Sequence, residues 1–349
     1  MSKLHKRLEL VKLMDNRYPN RGTDVIGGKM SGVFSWNDIR YPQMKATYQR
    51  IQSNFWIPAR ISMVDDVKVW AMLSPRLKEA YLSTIGQLAT LDGKQTRAVL
   101  EFARFVSDPV YHPIAVNIAQ QEATHNESYS YMLSSLVDKN TESAVFTNAI
   151  NDPRVLKRNE RVDELYEEFV TNPTPHTFFR ALVGCVVLEG MNFYSAFTFF
   201  YNLARNQLMV ASSTMIGYIH RDEVQHAYFF SQLVRYVLAE IPELHTKETT
   251  DWIYDIFIEA TEREIEWSHH NLADIDGIDL NELEGYIKKL ANRRLRGLGL
   301  EDIYEGVDNS MPWMINFDDG SQNQTKTDTF EQKSRNYKKV NSENDMDDL

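Results

Sequence analysis

Residues 121–131 read QEATHNESYSY. Glu122, His125 and Tyr129 stand three and then four positions apart, and on an α-helix those offsets put all three side chains on one stripe. The same stripe carries Ile118 before them and Met132 and Leu136 after them, so its face is otherwise apolar. An isolated buried carboxylate is costly enough that it protonates or finds a cation. The stretch therefore predicts a core helix whose polar groups meet partners on other helices.

Two further Glu-x-x-His pairs occur, Glu223/His226 and Glu266/His269. Glu223 has Ile219 one turn before it and Phe230 and Leu233 after it, again an apolar face. Glu266 shares its stripe with Glu259 and Glu262, the pattern of a solvated face, where such a pair adds only about 0.2–0.5 kcal/mol to a helix. Two acids stand alone in apolar surroundings. Glu189 interrupts ALVGCVVLEGMNFYSAF between Cys185 and Phe193, and Asp92 lies on the stripe of Tyr81, Ile85 and Leu88. Either acid alone reads equally well as a helix-edge residue in contact with water. All of them together do not.

The rest of the chain narrows the setting. Periods of three to four recur in long stretches, and Ser74-Pro75 and Thr174-Pro175 each give an N-cap followed by proline at the first helical position. Asp279 and Glu282 have capping-box spacing. The expected helices run over 75–105, 113–138, 175–205, 210–240, 247–272 and 280–296, an all-α chain with a four-helix bundle at its centre. Residues 1–40 read as an N-terminal extension, 41–317 as the helical domain, and 318–349 as a polar tail too poor in apolar residues to fold by itself.

No run of 18 apolar residues appears among the 349, and the opening MSKLHKRLELVKLMD lacks the apolar block of a signal peptide, so a soluble, cytoplasmic protein without membrane contact is expected. A net charge of −11 without a Lys/Arg stripe argues against nucleic acid. Neither a Gly-rich phosphate loop nor a Gly-x-Ser-x-Gly elbow is present. Cys185 is the only cysteine, which excludes an intrachain disulfide and a thiolate cluster. Any metal must be held by oxygen and nitrogen.

One acid on each of two helices and a Glu-x-x-His on each of the other two is the ligand set of ferritin-like di-iron and di-manganese proteins. Asp92, Glu122/His125, Glu189 and Glu223/His226 supply it in chain order. Four carboxylates balance two divalent ions, and hard oxygen donors with imidazole suit a dinuclear iron or manganese centre.

LDGKQ around Asp92, EATHNESY, LEGMNFYSAF and RDEVQH together resemble the small, radical-generating subunit of class I ribonucleotide reductase, from about Phe55 to the tail. The resemblance implies a ferritin-like fold, the six metal ligands named above and a tyrosyl radical at Tyr129. It implies that Asp222 accepts the free ring N–H of His125 and that Trp56, in SNFWIP, meets that acid. Tyr337, in KSRNY, matches the tyrosine that relays the radical to the large subunit, the acidic terminus matches the segment that docks there, and the small subunit is a homodimer. Compact length and the KSRNY tail look more like class Ib, whose centres use manganese with a flavodoxin-like activator, or iron. Gly190 stands where class Ib has serine, a departure that bears on the hydrogen bonds of the oxidant channel. Two other readings of a dimetal bundle are an oxidase or hydroxylase acting directly on an organic substrate, and metal storage. Neither has a use for the Tyr–Asp–Trp set.

Overall fold

A computed structural model describes residues 16–308, 310–314 and 317. Two short helices, α1 (Gln43–Ser53) and α2 (Val64–Met72), precede the long α3 (Pro75–Phe105). The Ser74 hydroxyl accepts from Leu77 N at 3.2 Å, and Pro75, with no N–H to lose, opens the helix. Next come α4 (Tyr111–Leu136), α5 (Lys139–Asn151) and α6 (Pro153–Thr171). Asp138 and Asp152 cap the last two, Asp138 accepting from Asn140 N at 2.9 Å and Asp152 from Arg154 N at 2.8 Å.

The apolar stretch expected to run unbroken over 175–205 is divided. α7 (Pro175–Val187) passes into a π-helical turn over Leu188–Asn192 and resumes as α8 (Tyr194–Arg205). α9 (Val210–Glu240), α10 (Lys247–Leu272) and α11 (Leu280–Leu298) complete the α-helices among the described residues. Thr174 and Thr177 form the reciprocal capping box of α7, whereas at α11 only the Asp279 half appears, accepting from Asn281 N and Glu282 N. Asp66 of α2 caps α9 from outside, accepting from Ala211 N at 3.0 Å and Ser212 N at 2.8 Å.

α3 lies along α4, both α7 and α8 lie against α9, and α4 meets α9. These segments form the ferritin-like bundle. The segment Pro175–Arg205 is long and apolar enough to cross a membrane, and its apolar window is entirely buried inside the protein. Its composition is that of a central core helix. From residue 16 to α1 the chain is irregular but fastened: Val25 is buried, Ser107 N donates to Val25 O at 2.7 Å, and Glu240 at the end of α9 accepts from Val25 N, Arg40 Nε and Tyr41 Oη.

Candidate metal centre

Asp92 comes from the middle of α3, Glu122 and His125 from α4, Glu189 from the π turn, and Glu223 and His226 from α9; all six are 0% exposed. The two Glu-x-x-His pairs interlock. Glu122 Oε1 lies 3.0 Å from His226 Nδ1, and Glu223 Oε1 lies 3.1 Å from His125 Nδ1, so each glutamate reaches the histidine of the other helix. Asp92 Oδ2 stands 3.9 Å from His125 Nδ1 and Glu189 Oε2 3.6 Å from His226 Nδ1. The result is two overlapping ligand groups, Asp92–Glu122–His125–Glu223 and Glu122–Glu189–Glu223–His226, each with its donor atoms within 4.8 Å of one another. Glu122 and Glu223 belong to both.

Both oxygens of Asp92, both of Glu122, His125 Nδ1, Glu189 Oε2 and Glu223 Oε1 are buried without a hydrogen-bond partner. Buried polar atoms are normally paired, so a convergent set of orphaned acceptors is a cation site by its own chemistry. Protonation shows the same strain. Burial, then the neighbouring carboxylates Glu122 and Glu189, push the Asp92 carboxyl well above the usual range, and burial with Glu189 and Glu122 does the same to Glu223. Glu122 is the exception: burial opposes ionisation, but the imidazoles of His125 and His226 beside it hold it down at about 2. Burial works against the imidazolium of His226, yet Glu122 and Glu189 carry it up to about 10, and His125 is likewise raised by Asp222, Glu122 and Glu223.

A profile of the ribonucleotide reductase small chain matches residues 33–312. The chain belongs to the ribonucleotide reductase small-chain family. It is 41% identical to the ribonucleoside-diphosphate reductase subunit beta of Halalkalibacterium halodurans over 100% of both chains, and 33% identical to that of Treponema pallidum over 93% of each. Among solved structures it resembles the ribonucleotide reductase R2 subunit from Clostridium botulinum, with a TM-score of 0.84 and 30% identity, covering 88% of this chain and 98% of that one. In a small chain of this family such a buried cluster of carboxylates and imidazoles is compatible with a dinuclear metal site.

Around that site the small chain has a second layer. Asp222 Oδ2 lies 3.3 Å from His125 Nε2 and accepts from Trp56 Nε1 at 3.0 Å, so the three residues singled out from sequence form one hydrogen-bonded chain. Gln121 does for His226 what Asp222 does for His125, with Oε1 2.9 Å from Nε2. Fixing the outer nitrogen of each ring leaves Nδ1 facing the cluster. Gln95 donates to Glu189 Oε1 and accepts from Tyr166 Oη at 2.9 Å, and Tyr166 also reaches Cys185 Sγ at 3.2 Å. Gln95 was legible in principle, three residues beyond Asp92 on its stripe; Tyr166, on α6, gave no local signal.

Tyr129 is fully buried, and its hydroxyl makes no hydrogen bond of acceptable geometry. Burial and the nearby charge of Asp92 push the phenol well above its ordinary value, so it keeps its proton at neutral pH. Phe193, Phe197 and Ile219 are also fully buried. Glu266 pairs at the surface with Lys157 at 2.7 Å, as its charged stripe implied. Tyr337 and the tail 318–349 lie outside the described residues.

Proposed function

We propose that this small chain generates a tyrosyl radical at Tyr129, stores it, and delivers it to a large catalytic subunit that reduces ribonucleoside diphosphates to deoxyribonucleotides. The observation that carries the reading is the joint burial of six ligand side chains and an unbonded phenol, with the Trp56–Asp222–His125 chain leading outward. Asp92, Glu122, His125, Glu189, Glu223 and His226 would hold two iron or manganese ions, and the bound pair, once oxidised by an oxygen species, would supply the oxidising equivalent that takes an electron from Tyr129. The chain's own residues do the rest. The apolar surroundings keep water and reductants from the phenoxyl, and Asp92, the carboxyl group that bears most on the phenol, would take its proton once bound cations hold it ionised.

On the outward path, Asp222 Oδ2 bridges the indole N–H of Trp56 and the imidazole of His125, so proton and electron can move together between the centre and the surface. A direct oxidase or hydroxylase has no use for this bridge, which is why the radical-storing reading is preferred. Tyr337 continues the path in the tail, whose acidic end docks on the large subunit. A second copy of the chain completes a homodimer, the flavodoxin-like protein of class Ib serves as activator, and the assembly works in the cytoplasm.

The test is electron paramagnetic resonance with metal analysis on the reconstituted protein and on Tyr129→Phe. The variant should bind two metals per chain and lose the radical signal. Its stability should change by less than about 1 kcal/mol, because deleting a buried hydroxyl with no partner removes a desolvation cost rather than a bond. A full tyrosyl signal in Tyr129→Phe would move the radical elsewhere.

A further inference from the structure

The π turn that carries Glu189 is gripped by side chains from helices outside the central bundle. Arg294, on α11, is buried; its Nε donates to the Gly190 carbonyl oxygen at 2.9 Å, and a terminal nitrogen donates to Tyr194 Oη at 2.5 Å. The guanidinium also lies 5.2 Å from the centroid of the Tyr194 ring. Arg158, on α6, is buried too; it donates to the Asn192 carbonyl oxygen and pairs with Glu264, which accepts from Ser195 Oγ. Two desolvated guanidinium groups thus meet the backbone of one five-residue turn.

Burying a guanidinium costs several kcal/mol unless its donors are matched. The hydrogen bonds of Arg294 go to neutral acceptors, so the pairing yields less than a carboxylate would. Nor is the side chain confined by space. It forms part of the wall of a cavity of 470 Å³, a volume that gives the guanidinium room to swing outward. Arg50 and Arg235 line the same cavity, and their like charges favour the inward position. The sequence departure noted at Gly190 fits here. A Cβ at residue 190 would stand 2.6 Å from Arg294 Nε and 2.8 Å from its Cδ, so an inward Arg294 and a side chain at 190 exclude each other.

We propose that Arg294 is a positioning residue for Glu189. It pins the carbonyl of the residue next in the turn and so fixes the direction from which the Glu189 carboxylate enters the metal centre, with Gly190 leaving the space it needs. A π turn is a less regular hydrogen-bonding arrangement than an α-helix, and an external donor on its backbone selects one of its conformations. The proposal rests on the reading of Glu189 as a metal ligand.

The experiment is a Mn(II) titration of the full chain stripped of metal, with free Mn(II) read by electron paramagnetic resonance and folding by circular dichroism. Arg294→Met should melt cooperatively yet bind one of its two ions about 10–100-fold more weakly, the usual effect of losing an outer partner of a ligand. Combined with Glu189→Ala it should weaken binding no further than Glu189→Ala alone, since one residue acts through the other. Wild-type affinity in Arg294→Met, or losses that add in the double variant, would overturn the proposal. If Arg294→Met does not fold, Gly190→Ser provides the test: it should show the same loss by displacing Arg294, and adding Arg294→Ala should leave that loss unchanged, because the guanidinium is already off the Gly190 carbonyl. Wild-type affinity in Gly190→Ser, or affinity restored by adding Arg294→Ala, overturns the proposal equally. Full Mn(II) binding by Glu189→Ala alone would instead remove the ligand assignment beneath it.

Discussion

Trp56→Phe isolates one bond of the outward path. It deletes the indole N–H that Asp222 Oδ2 accepts at 3.0 Å, while His125 Nε2 at 3.3 Å and the Arg221 guanidinium at 3.4 Å stay with the same carboxylate. A buried hydrogen bond to a charged group contributes about 1.5–3 kcal/mol. The smaller ring leaves a void that costs roughly 1 kcal/mol more. At about 2–3 °C per kcal/mol for a domain of this size, the melting temperature should fall by about 5–12 °C. Because Asp222 still orients His125, metal content should remain at two ions per chain and the Tyr129 radical should still form. Turnover with the large subunit should be lost, since phenylalanine has no proton to exchange with Asp222. Calorimetry, metal analysis and a nucleotide reduction assay on one preparation separate these effects. An unchanged melting temperature would refute the energetic argument, and near-normal nucleotide reduction would take Trp56 off the path.

The raised imidazoles make a second prediction. With His226 at about 10 and His125 also shifted upward, both rings carry a proton at pH 7 that metal must displace, so binding should release protons and affinity should fall as pH is lowered. Titration calorimetry in buffers of different ionisation enthalpy measures this, and zero net release at pH 7 would contradict it. In the tail, removing residues 341–349 should abolish binding to the large subunit but spare the metal centre, whereas Tyr337→Phe should bind and fail to turn over. Wild-type activity of Tyr337→Phe would leave Tyr304, the next tyrosine inward, as the candidate relay.

Much of the site was legible because helix spacing and chemistry coincide in one local pattern. Gln121-Glu122-x-x-His125 and Asp222-Glu223-x-x-His226 are two versions of one phrase: the glutamate and histidine face inward, and the residue before the glutamate braces the histidine of the opposite helix. Asp222 was recognised through family resemblance, while Gln121, its counterpart, went unread though it occupies the same place. The path from 175 to 205 was read as one helix because a π turn changes the backbone by a single residue and leaves the apolar pattern intact. Arg158 and Arg294 were not legible at all. An arginine on a polar helix ordinarily marks a solvated face, and only the meeting of α6 and α11 with the π turn turns these two inward. The glycine at 190 was visible as an oddity in sequence; its reason is a side chain roughly a hundred positions away.

The apolar segment Pro175–Arg205 also bears on how the protein is made. As it leaves the ribosome it has the length and greasiness of an integral membrane span. α3 and α6 have already been synthesised and can shelter one side of it, but α9, which packs along both α7 and α8, ends only at Glu240. At roughly 5–20 residues per second, the remaining stretch takes a few seconds to appear. During that interval the nascent chain presents to chaperones and to the insertion machinery a surface that the finished protein never shows. A ribosome-released fragment ending at residue 205 should therefore partition into membranes or aggregates, and recovery of that fragment as a soluble monomer would show that the helices made before it shelter it unaided.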